Sequence, residues 1–242
     1  MNPKLIAILA FLFFVSCVHK QRFPEKLSER IIANSPNVNS LNLNDKGPFD
    51  ELFTFVMQFN SQDSAFELQN FEAAYNQFIN TRQVDLNDAQ ALPLWIEING
   101  LLLELTGEEK YTKQLEEVSK IDSLADNIKP FILTKRVDHI NVNLFEPIEI
   151  NYNHTLGGEV KIRQETTYPE SGSVRLHFGM TERQYIELSI RIPEWAEGTT
   201  VVVKNVKYFT KPGSYCFIAK KWKEGDVVEI ELPIENYPCN SL

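Results

Sequence analysis

The chain is 242 residues long, with 43% hydrophobic and 11% aromatic residues and a formal net charge of −9. That composition suits a folded globular protein and is too apolar and aromatic for a disordered one. Acidic residues outnumber basic ones by 33 to 24, so nucleic-acid binding has no electrostatic basis, and three Cys exclude a disulfide-dense scaffold.

Met1-Asn-Pro-Lys4 precedes an apolar run, Leu5 to Val18, broken only by Ser16 and Cys17. At helical rise the run spans about 21 Å, short of a bilayer's hydrocarbon core, and it reads as a secretory signal. Its end, Phe14-Val15-Ser16-Cys17, resembles the bacterial lipobox, with Phe14 where Leu or Val is usual. The resemblance implies cleavage before Cys17 and a diacylglycerol on its sulfur. Residues 1–16 are therefore expected to be the signal peptide, Cys17 the lipidation site and residues 17–47 a tether, polar around Asn34-Ser-Pro-Asn-Val-Asn-Ser40. Acyl chains on one residue anchor a protein stably, each buried methylene adding roughly 0.8 kcal/mol. The alternative is a plain signal peptide or uncleaved anchor in which Cys17 is incidental. The expected location is a bacterial cell envelope, with the membrane as partner through the lipid.

From Pro48 the apolar residues recur with helical period. Phe49, Leu52, Phe53, Val56 and Phe59 make one stripe, and Phe66, Phe71, Ala74, Tyr75 and Phe78 a second. A third helix, capped by Asn87 or Asp88, carries Leu92, Trp95, Ile98, Leu102 and Leu105. Thr106-Gly-Glu-Glu109 has capping-box spacing for a fourth, with Tyr111, Leu115 and Val118, and Pro130 ends or interrupts a short fifth. Beyond Arg136 the period becomes two. Ile186, Leu188, Ile190 and Ile192 give the clearest strand, and about seven strands separated by Gly-rich turns predict a β-sandwich. The fold class expected is α+β: a small helical bundle over 48–135, then an antiparallel sandwich over 136–238.

Arg191-Ile-Pro-Glu-Trp-Ala196, Tyr215 and Lys221-Trp-Lys-Glu-Gly-Asp-Val-Val-Glu-Ile-Glu-Leu-Pro233 follow Val142-Asn-Leu-Phe145 and Val160-Lys-Ile-Arg-Gln-Glu-Thr-Thr-Tyr-Pro169. In that order they resemble the C-terminal β-sandwich of glycoside hydrolase family 127, the β-L-arabinofuranosidase-like enzymes. Leu101 to Val118 and Asn127 to Thr134 resemble parts of that family's (α/α)6 barrel, which implies that the helical region is a remnant of such a barrel.

The resemblance implies a catalytic centre with a Cys nucleophile, a zinc ion held by a Glu and three Cys, and a Glu as general acid/base. The matching segments here read Gln90-Ala-Leu-Pro93 and Asp122-Ser-Leu-Ala-Asp126, with no Cys in either and no Glu in the first. No catalytic residue, no metal and no cofactor is therefore expected. Among His19, His139, His154 and His177 no pair has short metal-ligand spacing. Glu97, Glu104, Glu146, Glu149, Glu165 and Glu170 are the carboxylates from which a glycosidase pair would be drawn; a solvated acidic surface is the alternative. Trp195 and Trp222 are candidates for stacking on sugar, with sandwich packing as the alternative. Cys216 and Cys239 are a candidate disulfide, or else buried or free thiols.

These residues point to a membrane-anchored envelope lipoprotein without the family's catalytic site, with a carbohydrate-binding or scaffolding role toward a glycan or a partner hydrolase. The alternatives are a glycoside hydrolase working through a carboxylate pair on arabinose-containing or similar glycans, and the product of a split or damaged reading frame.

Overall fold

A computed structural model of the chain describes residues 49–60, 63, 66–81, 91–119 and 125–237. Among them are five helices: α1 (Asp50–Asn60), α2 (Leu68–Thr81), α3 (Ala91–Thr106), α4 (Glu109–Ser119) and α5 (Ala125–Ile132). The first two bury the predicted stripes, Leu52, Phe53 and Val56 on one and Phe71, Ala74, Tyr75 and Phe78 on the other. Helix α3 is buried almost all round from Leu92 to Leu103, as befits the central rod of a small helical layer. Trp95 is its hub. Its ring stacks on Tyr75 with centroids 5.4 Å apart and lies against Phe49 and Phe78. The Tyr75 hydroxyl donates to Asn99 Oδ1 at 2.7 Å, and Asn99 Nδ2 donates to the Trp95 carbonyl, so these two buried polar side chains are satisfied within the layer. Gly107, at φ +70°, closes α3 with its N–H on the Leu103 carbonyl.

Among the described residues the sandwich has ten strands rather than about seven. They are β1 (Leu133–Arg136), β2 (His139–Val142), β3 (Ile148–Asn153), β4 (Glu159–Thr166), β5 (Ser173–Met180), β6 (Gln184–Ile192), β7 (Thr200–Val203), β8 (Val206–Tyr208), β9 (Ser214–Trp222) and β10 (Val227–Glu231). One sheet runs β1-β2-β6-β9 and the other β3-β4-β5-β10-β7-β8. Pairing is antiparallel except for β2 with β6, which is parallel. The strands absent from the sequence reading are β1, β3 and β8. Strand β1 is buried on successive residues, β3 alternates apolar residues with Asn and Glu over a short span, and β8 is three residues long and mostly exposed. Lys223-Glu-Gly-Asp226 has the residue chemistry of a hairpin turn. Gly225 does sit at φ +77°, but β9 pairs with β6 and β10 with β5 and β7, so this turn carries the chain from one sheet to the other.

Alternate residues of both sheets fill one core, Ile186, Leu188, Ile190 and Ile192 facing Ile162, Leu176, Phe178 and Val228 among others. The Phe178 and Trp222 rings, one from each sheet, stack with centroids 4.1 Å apart. Helix α5 runs directly into β1. Its Phe131 lies so close to Gly100 of α3 that a Cβ there would meet the ring at 2.1 Å. Helix propensity alone favours Ala over Gly by about 1 kcal/mol, yet Gly100→Ala is expected to destabilise the protein by about 1–3 kcal/mol through overpacking. Urea unfolding of Gly100→Ala, Phe131→Leu and the double variant checks this: the double variant should lose less than the two single losses added together.

Candidate functional site

The outer face of the four-stranded sheet carries the polar phase of its strands. The register sets Arg136, His139, Glu187 and Ala219 side by side in one row, and Thr134, Asn141, Ser189 and Phe217 in the next. Arg191 and Tyr215 lie opposite each other in the row beyond, with Asn143 just past the end of β2. The helices cover that last row and leave the first largely open.

The covered end is an ionic weld. Arg191 is 2% exposed. Its Nε donates to the Asn143 carbonyl at 2.6 Å, one terminal nitrogen reaches Glu109 Oε1 at 3.4 Å, and the other donates to Glu116. The guanidinium also lies 5.4 Å from the Phe145 ring centroid. Asn143 is held in turn, its Oδ1 accepting from the Tyr215 hydroxyl at 3.0 Å and its Nδ2 donating to the Phe131 carbonyl. Glu109 accepts the backbone N–H of Glu194 at 2.8 and 2.9 Å. Its expected capping role is thereby replaced: Thr106 Oγ1 caps the N–H of Glu108, while Glu109 reaches from α4 to the sandwich. Burial pushes the Glu109 carboxyl above the usual carboxylate range, against the Glu194 N–H and the Arg191 charge. Burial opposes the Arg191 charge too, but Glu116 and then Glu109 outweigh it and hold its pKa above the ordinary value. The two directions agree on a pair whose attraction is partly spent on desolvation.

Beside the weld, burial also raises the Glu146 carboxyl. A Ser119 hydroxyl hydrogen bond opposes the rise, and the charges of Glu116 and Glu170 add to it. Of the other carboxylates named from sequence, Glu97 is buried in α3 and Glu104 is half-buried there. Glu149 pairs with Lys161 at 2.6 Å, and Glu165 pairs with Arg163 and His177 on the far sheet. Glu170 is exposed.

The open end is aromatic and polar together. Tyr185 is 46% and Phe217 53% exposed. Between them, His139 Nε2 and the Ser189 hydroxyl share a 2.7 Å hydrogen bond, and His139 Nδ1 lies 3.6 Å from Glu187 Oε2. The His139 ring meets Phe217 edge to face, with centroids 5.8 Å apart. Burial lowers the His139 pKa against the pull of Glu187, with Arg136 adding to the fall, which favours the neutral imidazole. Sequence reasoning did not single out Tyr185 or Phe217. The signal available was an aromatic residue in the polar phase of a strand whose other phase is plainly buried.

The remaining candidates are placed elsewhere. Trp222 is fully buried, stacked on Phe178, with its indole N–H donating to the Ile186 carbonyl at 3.0 Å. As a sugar platform it is excluded, because no ring face reaches solvent. Trp195 is half-buried and meets Tyr237 edge to face at 5.1 Å. Cys216 is a buried free thiol, its pKa pushed up to about 11 by burial; Cys239 lies outside the described residues, as do Cys17, His19 and the expected signal and tether. His154 is consumed in holding the β3–β4 turn to the other sheet, its Nε2 donating to the Tyr185 carbonyl and its Nδ1 accepting from the Leu156 N–H. Among the described residues no three His, Cys, Asp or Glu side chains converge on a metal position, and no helix is long and apolar enough to cross a membrane. A zinc–thiolate centre does not fit the donor set present, since the described thiol, Cys216, is walled into the sandwich.

Residues 139–234 match the family model of the β-L-arabinofuranosidase GH127 middle domain. A solved GH127 β-L-arabinofuranosidase from Geobacillus stearothermophilus T6 is similar with a TM-score of 0.61 and 19% identity, over 77% of this chain and 41% of that one. A second GH127 β-arabinofuranosidase gives a TM-score of 0.55 and 17% identity, over 75% and 42%. The chain thus spans about two fifths of the length of these solved relatives. At such identities they establish a shared fold, over more of the chain than the sandwich alone. No curated protein matches the sequence. The sandwich is thus of the GH127 middle-domain type, and the chain that carries it is GH127-like in fold.

Proposed function

We propose that the protein is a lipid-anchored component of a bacterial cell envelope that binds glycans, or holds a partner hydrolase on them, without cutting glycosidic bonds by the family's zinc–cysteine chemistry. The observation that carries the reading is the open end of the four-stranded sheet, where two half-exposed rings stand beside a polar cluster of His139, Ser189 and Glu187. Aromatic faces take the apolar faces of sugars while neighbouring polar groups take hydroxyls. The similarity to arabinofuranosidases supports a glycan as the ligand class, and the lipobox-like segment at Cys17 supports the anchor. A glycan array is expected to show binding that Tyr185→Ala combined with Phe217→Ala abolishes while the fold is kept; absence of any glycan binding by the wild type would refute the reading. For the anchor, fatty-acid label should appear on the wild type and be lost in Cys17→Ala.

A second reading, hydrolysis through a carboxylate pair, draws on Glu146, whose carboxyl is raised beside Glu116 and Glu170. Turnover of aryl α- or β-arabinosides that disappears in Glu146→Gln would favour it over the first.

A further inference from the structure

We infer that the open sheet face takes a linear, uncharged oligosaccharide about three sugar rings long, lying along β6 and β9 and stopped at one end by the helical layer; the inference rests on the glycan-binding reading above. The register fixes the length. Phe217 stands opposite Ser189, and Tyr185 stands opposite Lys221, so the two rings are four residues apart along neighbouring strands. At strand rise this sets their Cα positions about 13 Å apart, roughly the reach of three linked sugars.

The floor between them suits a ligand lying flat. Ala219, exposed and small, stands opposite Glu187, which in turn stands opposite His139. These positions put a shallow step between two aromatic rises, with the polar groups along one side. β9 is the edge strand of its sheet, so the Phe217 side carries no further strand. The next row toward the helices is closed: Arg191 is buried under Glu109 and Glu116, and the Tyr215 ring lies 3.6 Å from the position of a Cβ at Gly107. A chain can therefore leave the face past Lys221 but not past Tyr215.

Charge sets the class. The acidic side chain at the centre is Glu187, beside His139 and the Tyr185 hydroxyl, while Arg136 and Lys221 stand at the rim, both exposed. A central carboxylate accepts hydrogen bonds from the hydroxyls of a neutral sugar and repels a uronate or sulfated one.

The test is calorimetric titration of the full chain with arabino-, xylo- and cello-oligosaccharides of one to six units, with oligogalacturonate as the anionic probe. In the responding series, affinity should rise at least tenfold from one unit to three and stay level beyond four, with no binding of oligogalacturonate. Phe217→Ala and Tyr185→Ala should each weaken the trimer about tenfold, the scale of one lost aromatic contact. Phe209→Ala, which removes an 84%-exposed ring outside the strands of this sheet, should change nothing, and circular dichroism should show each variant folded. A monosaccharide bound as tightly as the trimer would overturn the linear-chain inference and leave glycan binding intact. So would a trimer insensitive to both substitutions, or one matched by oligogalacturonate. No binding in any series, together with an empty glycan array, would overturn the underlying reading as well.

Discussion

Replacing Arg191 with Ala should cost about 3–5 kcal/mol of folding stability, the loss seen when one partner of a buried ion pair is removed and the other is left in place. The reason is geometric. Arg191 gives hydrogen bonds to a backbone carbonyl and to carboxylates on α4, all at a site that is 2% exposed. Without the guanidinium, Glu109 and Glu116 face each other's charge across a cavity, and the Asn143 carbonyl loses its donor. Arg191→Lys should recover part of the loss, because a point charge on a shorter donor set cannot serve all three acceptors. Arg191→Met with Glu109→Gln and Glu116→Gln should recover more than half, since no charge then remains to desolvate. Urea unfolding, with slopes compared between variants, measures all of these. A triple variant no more stable than Arg191→Ala would show that the loss did not come from stranded charge.

This weld also shows where sequence reasoning stops. The stripes of α1, α2 and α4 and the alternation of β6 were legible because a single buried face imprints its period on the residues. Arg191-Ile-Pro-Glu194 was visible as a family-like motif, but its physical role was not. That role depends on Glu109 and Glu116, 82 and 75 residues away, and no local pattern encodes so distant a contact. Glu109 even carried a misleading local signal, since capping-box spacing explained it without any long-range partner. The topology had the same limit. Lys223-Glu-Gly-Asp226 has turn chemistry that fits a hairpin and a crossover equally, and only the pairing of β9 with β6 decides between them. The open face was legible in part. Its inner counterpart, Ile186 to Ile192, was read correctly, and Tyr185 follows from the same alternation once the outer phase is asked what it could bind. Which end of that face the helices cover could not follow, because Arg191 and Glu187 belong to the same outer phase of one strand.

Trp222 brings the second large effect, and it separates the two roles open to an aromatic residue on this strand. Trp222→Ala should destabilise the protein by about 3–5 kcal/mol, the range for emptying a buried Trp site. The ring is fully buried and stacks on Phe178 of the opposite sheet, so its removal opens the sandwich core where the two sheets meet. The Ile186 carbonyl would also lose its indole donor in a place water does not reach. Trp222→Phe should cost less, about 1–3 kcal/mol, because the stack survives while the hydrogen bond and part of the volume go. Thermal and urea unfolding give these values. At a temperature where the variant is still folded, Trp222→Phe should bind oligosaccharide as the wild type does, whereas Phe217→Ala should unfold as the wild type does and bind weakly. Phe217 and Trp222 lie on one strand, five residues apart, and an odd separation puts them on opposite faces of the sheet. The strand's alternation thereby assigns one ring to the core and the other to solvent.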